Sequence, residues 1–328
     1  MTSPSRPKTF LDLFPVPEFL LLSTTGIVIT DTDTKFVQLR REIFGDGFEL
    51  AHATKVANPK GVVESGLINN PAELVPILKK LASHYHISYA RASLPDEKAY
   101  LFTTTISWVP SLGLRDAVAF IVEENVPMSL SESIFDFEVI SEDKNTDEIK
   151  VTVSVLPKSI VSTYITAFES AGITPISFDI ESQAIARAVI RHGDKRPNLI
   201  VNLSLKKTGF YLIEEGVVQF STTSAYGVDG VNSPENLSNL KAEMRKVLIF
   251  WSTRTDKLGK SGQKIEKIVL CGLGASSKDF VDKLMSESDI PYVLADVWLN
   301  TSSKVPEMLF NESLDYASAI GLVLPSEK

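Results

Sequence analysis

The chain has very few cysteines and histidines, the residues that form disulfide bonds and that hold zinc and similar metals. Its 328 residues include one cysteine, Cys271, and four histidines. A single cysteine excludes a disulfide within the chain and is typical of proteins from a reducing compartment. The histidines are scattered and have no metal-ligand spacing with the cysteine. We therefore expect no metal site.

Patterns that indicate a nucleophilic catalyst are also missing. No arrangement of serine, histidine and aspartate, or of cysteine and histidine, stands out along the chain. Cys271 ends an apolar run, where a cysteine usually acts as a small buried residue. We therefore predict no catalytic residue.

Long apolar runs and an excess of basic residues are absent as well. The early apolar stretch 19–22 is far too short to span a bilayer, and the N-terminus lacks the pattern of a signal peptide. With 33 basic and 41 acidic residues, the net charge is -8. An acidic chain is a poor nucleic-acid binder, because neutralising phosphates requires clustered lysine and arginine. We expect a cytoplasmic protein that does not bind nucleic acid or insert into a membrane.

The sequence does contain enough apolar residues for a large core. Hydrophobic residues make up 44% of the chain and charged residues 23%. This composition is typical of a globular protein, and the length favours two domains or one bilobed unit.

Two segments share one pattern of strand, polar turn and strand. The first spans residues 26–39 (GIVITDTDTKFVQL) and the second residues 199–212 (LIVNLSLKKTGFYL). Apolar runs on both sides of a polar turn predict β-hairpins. Their repetition in the two halves of the chain predicts a duplicated fold.

Between the hairpins, residues 97–180 form a candidate inserted unit. Its pattern predicts the order strand, helix, strand, strand, helix, strand, with the second helix ending at Gly172 as a C-terminal cap. The last strand covers 176–180. A polar break at 192–197 predicts the main boundary, and a long helix over 236–254 belongs to the second half.

Residues 1–19 are rich in proline and serine and are predicted to be a flexible arm. The arm carries an apolar cluster, Phe10, Leu11, Leu13 and Phe14. This cluster either packs against its own domain or docks onto a partner.

The order and spacing of short segments over residues 20–325 resemble the PilM family. These are actin-like cytoplasmic proteins of the type IV pilus assembly machinery, related to the cell-division protein FtsA. No single motif carries the resemblance. Besides the first hairpin, the matching segments are 61–68 (GVVESGLI), 92–95 (ASLP), 122–127 (VEENVP), 171–175 (AGITP), 178–188 (FDIESQAIARA), 272–275 (GLGA) and 319–322 (AIGL).

The resemblance implies an α/β fold of the actin-like type, a duplicated ribonuclease H-like fold with two lobes. Residues 20–96 and 179–196 then correspond to subdomain 1A, and residues 97–178 to an inserted subdomain 1C of SHS2 type. Residues 197–328 correspond to subdomain 2A with a reduced subdomain 2B. We expect a reduced subdomain 2B because few residues separate the glycine-rich turn at 226–230 from the long helix, whereas the family has a longer helical stretch there.

The resemblance also assigns the positions of a nucleotide site. In an actin-like site each hairpin has an aspartate for hydrated Mg²⁺ and, two positions later, a glycine that lets backbone N–H groups approach phosphate. Here those positions hold Val28 and Thr30 in the first hairpin and Asn202 and Ser204 in the second. Valine cannot bind a metal, asparagine is a weaker ligand than aspartate, and the hydroxyl side chains crowd the phosphate. We expect no cofactor, with ATP and Mg²⁺ as the disfavoured alternative.

Five nearby residues have two interpretations each. Asp31 and Asp33 either replace the lost ligands or bond backbone groups of the hairpin turn. The three-residue distance of Asp31 from the metal position favours the turn. Lys35 is either a phosphate-binding lysine or a surface charge. Gly272 and Gly274 belong either to a phosphate loop or, as we favour, to a tight turn between strand and helix.

The leading functional hypothesis is an adaptor that does not hydrolyse ATP. By resemblance, it lies at the cytoplasmic face of the inner membrane and is attached there through partners. It binds the short cytoplasmic N-terminal peptide of a PilN-like bitopic protein between subdomains 1A and 1C, together with other pilus platform proteins. No peptide-binding motif is recognisable, so the residues that contact the partner are not assigned.

Two alternatives come from other functional classes. One is a working ATPase or nucleotide switch of the same machinery, which Asp31, Asp33 and Gly274 would serve. The other is an FtsA-like division scaffold. Such chains end in an amphipathic membrane helix, and the residues after Gly321 leave no room for one, which disfavours this alternative.

Overall fold

The computed structural model describes residues 24–41, 48–143, 146–230, 233–254, 264–301 and 308–325. The predicted arm, residues 1–19, lies outside the described residues together with its apolar cluster. Residues 231 and 232, between the glycine-rich turn and the long helix, also lie outside them, and the prediction of a reduced subdomain 2B depends on this short connection. That subdomain therefore stays a prediction.

The secondary structure alternates between strands and helices. The strands are β1 (Thr24–Ile29), β2 (Asp33–Arg41), β3 (Phe48–Ala57), β4 (Val63–Glu64), β5 (Leu67–Ile68), β6 (Tyr89–Leu94), β7 (Tyr100–Ser107), β8 (Ser133–Asp143), β9 (Glu148–Pro157), β10 (Thr174–Ile180), β11 (Asn198–Leu203), β12 (Thr208–Glu214), β13 (Val217–Ser224), β14 (Lys267–Cys271) and β15 (Tyr292–Leu294). The helices are α1 (Pro71–Tyr85), α2 (Ser111–Asn125), α3 (Lys158–Ser170), α4 (Glu181–Val189), α5 (Pro234–Thr253), α6 (Lys278–Met285), α7 (Phe310–Ser313) and α8 (Ala317–Val323).

Two five-stranded sheets have the same topology, which confirms the predicted duplication. The first has the strand order β3–β2–β1–β6–β10 and the second the order β13–β12–β11–β14–β15. In each sheet the first three strands along the chain are antiparallel, and the last two run parallel to the first. Every residue of β11 is buried. A strand covered on both faces accounts for the continuous apolar runs in the sequence.

Helix α5 shows how local sequence sets an element and its burial. The Ser233 hydroxyl accepts a hydrogen bond from the Asn236 N–H at 3.4 Å, and Pro234 occupies the first helical position. Both features are typical of a helix N-terminus. The predicted helix is confirmed, and its buried residues recur at helical spacing: Leu240, Met244, Val247 and Trp251.

A smaller three-stranded sheet, in the order β7–β9–β8, is inserted after β6. Helix α2 packs on it, so the unit has the chain order strand, helix, strand, strand. It has a core of its own, formed by Ile106, Val118, Val122, Val126, Ile149, Val151, Val153 and Val155.

The structure places β10 in the first sheet and buries α3 against that sheet, although the sequence pattern assigned both to this inserted unit. β10 pairs in parallel with β6 and so extends the first sheet. Tyr164 and Phe168 of α3 are buried in the core of the first sheet. An amphipathic pattern shows that one face of a helix is buried but does not show against which sheet. The exact boundaries of the predicted subdomains stay a prediction.

Helices α4 and α8 join the two halves. Gly321 of α8 lies so close to α4 that a Cβ atom there would be 1.7 Å from the Ala184 carbonyl oxygen. Arg187 of α4 donates a hydrogen bond to the Gly321 carbonyl at 2.9 Å. Buried residues of both sheets and both helices form one continuous core.

Candidate functional site: the hairpin turns and a side groove

The two predicted hairpins form and have equal turns. Each closes with a turn of four residues, 30–33 in the first hairpin and 204–207 in the second. Counting back from these turns shows that the positions which the resemblance assigned to a metal ligand and a phosphate-contacting glycine are equivalent in the two hairpins. Val28 corresponds to Asn202, and Thr30 corresponds to Ser204.

The two assigned positions of the first hairpin are occupied with internal contacts. Val28 is 1% exposed and lies in the core that joins the halves. The Thr30 hydroxyl accepts hydrogen bonds from the N–H groups of Thr32 and Asp33, at 3.2 and 3.1 Å. It also donates to the Asp33 carbonyl at 3.0 Å. Its hydrogen-bonding capacity is therefore used within the turn.

In the second hairpin, Asn202 is buried and faces the turn that follows β14. Its amide oxygen lies 3.8 Å from Cys271 Sγ. Gly272 has a φ of 84°, and a Cβ atom there would lie 2.6 Å from the same amide oxygen. A Cβ atom at Gly274 would lie 2.2 Å from Val228 Cγ1. Both glycines thus allow the strand-to-helix turn to pack against neighbouring segments, which agrees with the interpretation favoured from the sequence.

Asp31 and Asp33 have different partners. The Asp33 carboxylate accepts a hydrogen bond from the Thr32 hydroxyl at 3.0 Å. Its other oxygen lies 3.2 Å from the Thr30 hydroxyl, which shares its single proton between this oxygen and the Asp33 carbonyl. The Asp31 carboxylate accepts from the N–H groups of Ser65 and Gly66, at 3.0 and 3.1 Å. Asp33 therefore serves the turn, through hydroxyl groups. Asp31 ties the hairpin to the loop between β4 and β5.

Lys35 is buried, so of its two interpretations the surface charge does not apply. Its side chain is 9% exposed, and its Nζ lies 2.7 Å from Asp315 and 3.6 Å from Asp33. Lys55 binds the other oxygen of Asp315 at 2.9 Å. Burial alone lowers the pKa of Lys35, but the charges of Asp315 and Asp33 outweigh it and hold the pKa above its ordinary value. The lysine is charged, and the chain's own carboxylates neutralise it.

The space between the two turns is nearly filled. A cavity of about 20 Å³ is lined by both turns together with Lys35, Leu273 and Asp315. That volume holds about one water molecule, whereas small-molecule sites usually enclose about 300–1,000 Å³. Of the residues assigned from the sequence, Thr30, Lys35 and Ser204 line the cavity. The described residues leave no space of nucleotide size between the turns.

A buried charged group beside this cavity was missed at the sequence level. Lys207, in the second turn, forms an ion pair with Glu97, which follows β6. The adjacent Asp96 accepts hydrogen bonds from the N–H and Oγ of Ser182, at 2.9 and 2.5 Å. Glu181, the first residue of α4, is also buried. Their positions directly after β6 and β10 were the available signal, since carboxyl ends of parallel strands meet at one edge.

Burial changes the protonation of this group. Loss of water contact, with a smaller effect of Glu181, raises the pKa of Asp96 to about 8. Burial also raises the pKa of Glu181, against the opposing charge of Lys207. Burial lowers the pKa of Lys207, but the carboxylates of Glu181 and Glu97 outweigh it, so that pKa lies above its ordinary value.

A larger depression of about 780 Å³, which we call the side groove, lies between the inserted sheet and the two halves. Its lining includes residues 134–140 of β8, residues 178–180 of β10 and residues 215–218 at the start of β13. From α4 come Gln183, Ala186, Arg187 and neighbouring residues. The groove therefore contacts all three sheets.

The side groove runs along the edge of a strand. Every residue of β8 from 134 to 140 lines it. Because successive side chains of a strand point to opposite faces, a groove that contacts all of them must follow the strand's edge. Among the described strands, β8 pairs only with β9. The backbone groups on its other edge can pair with an added strand.

The side groove offers apolar surface and charges of both signs. Ile134 and Val139 of β8 are 41% and 38% exposed. The Arg115 guanidinium lies 4.7 Å from the centre of the Phe135 ring, a geometry that stabilises a cation against an aromatic face. Arg187 pairs with Asp179 at 2.7 Å. This combination suits an extended peptide with apolar side chains.

Metal-binding clusters and membrane-spanning helices are two further features that bear on the class of site. Within the described part of the chain, no group of three or more histidine, cysteine, aspartate or glutamate side chains is placed to hold a metal ion. The helices that the structure describes include none that is long and apolar enough to cross a membrane.

Comparison with known proteins shows both family and fold. The family model of the type IV pilus assembly protein PilM matches residues 26–233. A search of curated proteins found no match. The chain is similar to a solved PilM-PilN type IV pilus biogenesis complex, with 17% identity, coverage of 92% of this chain and 98% of that one, and a TM-score of 0.77.

A second solved structure shares the fold at lower similarity. It is the ethanolamine utilization protein EutJ from Carboxydothermus hydrogenoformans, with 12% identity, coverage of 94% of this chain and 90% of that one, and a TM-score of 0.51. Together with the duplicated sheets, these similarities confirm the predicted actin-like ATPase fold.

Proposed function

The chain belongs to the PilM family of type IV pilus assembly proteins, and from this we propose that it is an adaptor for the cytoplasmic N-terminal peptide of a PilN-like protein. It acts in the cytoplasm and is held at the inner membrane through that partner. Other proteins of the assembly platform bind to it as well. It does not hydrolyse ATP, insert into the membrane or bind nucleic acid.

The observation that carries this proposal is the side groove. Its volume of about 780 Å³ and its course along the edge of β8 fit an extended peptide. Such a peptide binds by adding a strand to the sheet, with alternate side chains entering apolar pockets. The solved complex that this chain resembles contains PilM together with PilN, which supports a PilN-like partner.

The position of the groove agrees with the region expected from the sequence. That expectation placed the peptide between subdomains 1A and 1C. The side groove lies between the inserted sheet, through β8, and the first sheet, through β10. The start of β13 in the second half completes it. A peptide bound there contacts both halves and the inserted unit.

We expect Ile134→Asp to weaken binding of the PilN-like peptide by about tenfold or more. The substitution places a carboxylate against apolar side chains of the peptide, and burying an unpaired polar group costs about 1–3 kcal/mol. Ile134 is 41% exposed in the free protein, so the fold should tolerate the change. Calorimetric titration with a synthetic peptide of the partner's cytoplasmic tail measures the effect.

Leu112→Asp is the matched control for this experiment. Leu112 is 98% exposed on α2 and does not line the side groove, so its variant should bind like the wild type. Equal affinities of the Ile134 variant and the wild type would mean that the peptide binds elsewhere. If the wild type does not bind at high micromolar peptide, the partner proposal fails.

We expect no detectable heat when Mg-ATP or ADP is titrated into the folded protein. The cavity between the turns holds about 20 Å³, and Lys35 and Lys207 are already paired with carboxylates. Calorimetry tests this, with thermal unfolding as proof that the sample is folded. Binding tighter than about 100 μM would instead favour a nucleotide-switched member of the same machinery.

A further inference from the structure

Each hairpin contributes one lysine that is bound by a carboxylate from elsewhere in the chain. Lys207 pairs with Glu97, and their side chains are 16% and 15% exposed. Lys35 pairs with Asp315 at 2.7 Å, and their side chains are 9% and 8% exposed. Ion pairs with so little water contact are weakly screened by salt and depend strongly on both partners.

The Lys207–Glu97 pair crosses from one half of the fold to the other, and Asp315 lies at the junction of the halves. Lys207 belongs to the hairpin of the second sheet, whereas Glu97 directly follows β6 of the first sheet. Lys35 lies on β2 of the first sheet. Asp315 directly follows Leu314. The Leu314 carbonyl accepts a hydrogen bond at 2.8 Å from the N–H of Gly272, the first residue after β14 of the second sheet. Asp315 also precedes α8, whose residues 319, 322 and 323 pack around Gly26 of β1 in the first sheet. Separation of the halves would therefore break the Lys207–Glu97 pair.

We propose that the Lys207–Glu97 ion pair forms a latch that holds the two halves closed over the hairpin turns without a bound ligand, with the Lys35–Asp315 pair beside it at the junction of the halves. The small cavity between the turns lies next to both lysines. Opening it would leave a charged lysine and its carboxylate without their partners, and in this partly buried setting the loss of a partner is costly. The two halves therefore stay closed over the turns without the help of a nucleotide or another ligand.

The residue next to Glu97 connects the latch to helix α4 through hydrogen bonds. Asp96, next to Glu97, accepts hydrogen bonds from the N–H and Oγ of Ser182 in the first turn of that helix. Gln183 and Arg187 of the same helix line the side groove. Loosening the latch should therefore expose the amide of Ser182 to exchange with solvent, along with the amides of the two turns.

Hydrogen exchange of the full chain tests the latch. In the wild type the Thr30 N–H donates to Asp33, and the Ser204 N–H donates to Lys207, at 2.8 and 3.0 Å, so both amides report on the closed turns. We expect Lys207→Met to speed their exchange by about tenfold or more. Lys206→Met is the matched control, because Lys206 is exposed and adjacent, and it should exchange like the wild type.

A second variant keeps the test decisive if Lys207→Met fails to fold. In the double variant Glu97→Gln with Lys207→Met, neither charge of this pair remains, so Glu97 is not left as an unpaired buried charge. Buried Glu181 loses the opposing charge of Lys207, so burial raises its pKa further and favours its neutral form. The latch predicts a folded double variant with fast exchange at Thr30 and Ser204. Wild-type protection of these amides in the double variant overturns the proposal. The experiment contains neither peptide nor nucleotide, so its outcome is independent of the proposed function.

Discussion

Replacing Gly321 with alanine should destabilise the folded chain by about 3 kcal/mol or more. The new Cβ atom would lie 1.7 Å from the Ala184 carbonyl oxygen, far inside any contact distance. The opposing atom belongs to the backbone of α4, so no side-chain rotation can relieve the clash. Helices α4 and α8 must move apart instead.

The position of this contact explains why the cost should be large. The core residues of α4 and α8 belong to the cluster that contains both sheets. The Gly321 carbonyl also accepts a hydrogen bond from Arg187 at 2.9 Å, and Arg187 lines the side groove. Separating the helices therefore disturbs the junction of the halves and the groove together.

Urea unfolding monitored by circular dichroism measures the loss of stability. Gly113→Ala is the matched control, because Gly113 lies in helix α2 with no atom within 4 Å of its added Cβ. Alanine is the better helix former by about 0.5–1 kcal/mol, so this variant should be as stable as the wild type or more stable. A Gly321 variant that unfolds at the wild-type urea concentration would contradict the described α4–α8 packing.

Asp96→Asn should remove a pH dependence of stability that the wild type shows. The folded chain keeps the Asp96 proton up to about pH 8, whereas an ordinary aspartate releases it near pH 3.8. Between these values the folded state binds more protons than the unfolded state. The contribution of this group is therefore complete below pH 3.8, falls as pH rises, and stops changing above about pH 8.

The size of the effect follows from proton linkage. One proton changes the free energy of unfolding by up to about 1.4 kcal/mol per pH unit. Asparagine has no proton to lose, and its amide keeps a hydrogen-bond acceptor for the Ser182 N–H. Between about pH 6 and pH 8 the variant should gain up to about 3 kcal/mol relative to the wild type. Glu181, Glu97 and Lys207 face Asp96 in both proteins, so their contributions largely cancel in this difference.

Unfolding curves at several pH values give the comparison directly. Asp289→Asn is the control, because this exposed carboxylate meets much the same solvent in the folded and unfolded chain. Its variant should follow the pH dependence of the wild type. Stability curves of the wild type and the Asp96 variant that run parallel from pH 5 to pH 9 would show that the proton is not held in the fold.

The sequence was most informative where structure depends on neighbouring residues. Both hairpins, with their turns at 30–33 and 204–207, follow from apolar runs on either side of a polar turn. The long helix α5 follows from its cap and its apolar spacing. The order of short segments was enough to identify the family and the actin-like fold, because these are properties of the whole chain.

Prediction failed where the partner of an element lies far along the chain. The pattern of α3 showed a buried face but not the sheet that buries it, and β10 read as a strand without revealing its pairing with β6. The residues of the side groove could not be predicted, since its lining comes from three sheets and α4. Each of these depends on the path of the chain between elements.

The charged and polar residues of the hairpins show most clearly what the sequence determines and what only the tertiary structure decides. By itself, the sequence determined that valine, threonine, asparagine and serine occupy the positions that the family resemblance assigns to the aspartates and glycines of a nucleotide site. Residue identity decides which atoms can bind a metal or approach a phosphate. Only the tertiary structure decided what became of Lys35. Its partner, Asp315, is 280 residues away along the chain. An ion pair depends on distance in space and on exclusion of water, and folding alone sets both.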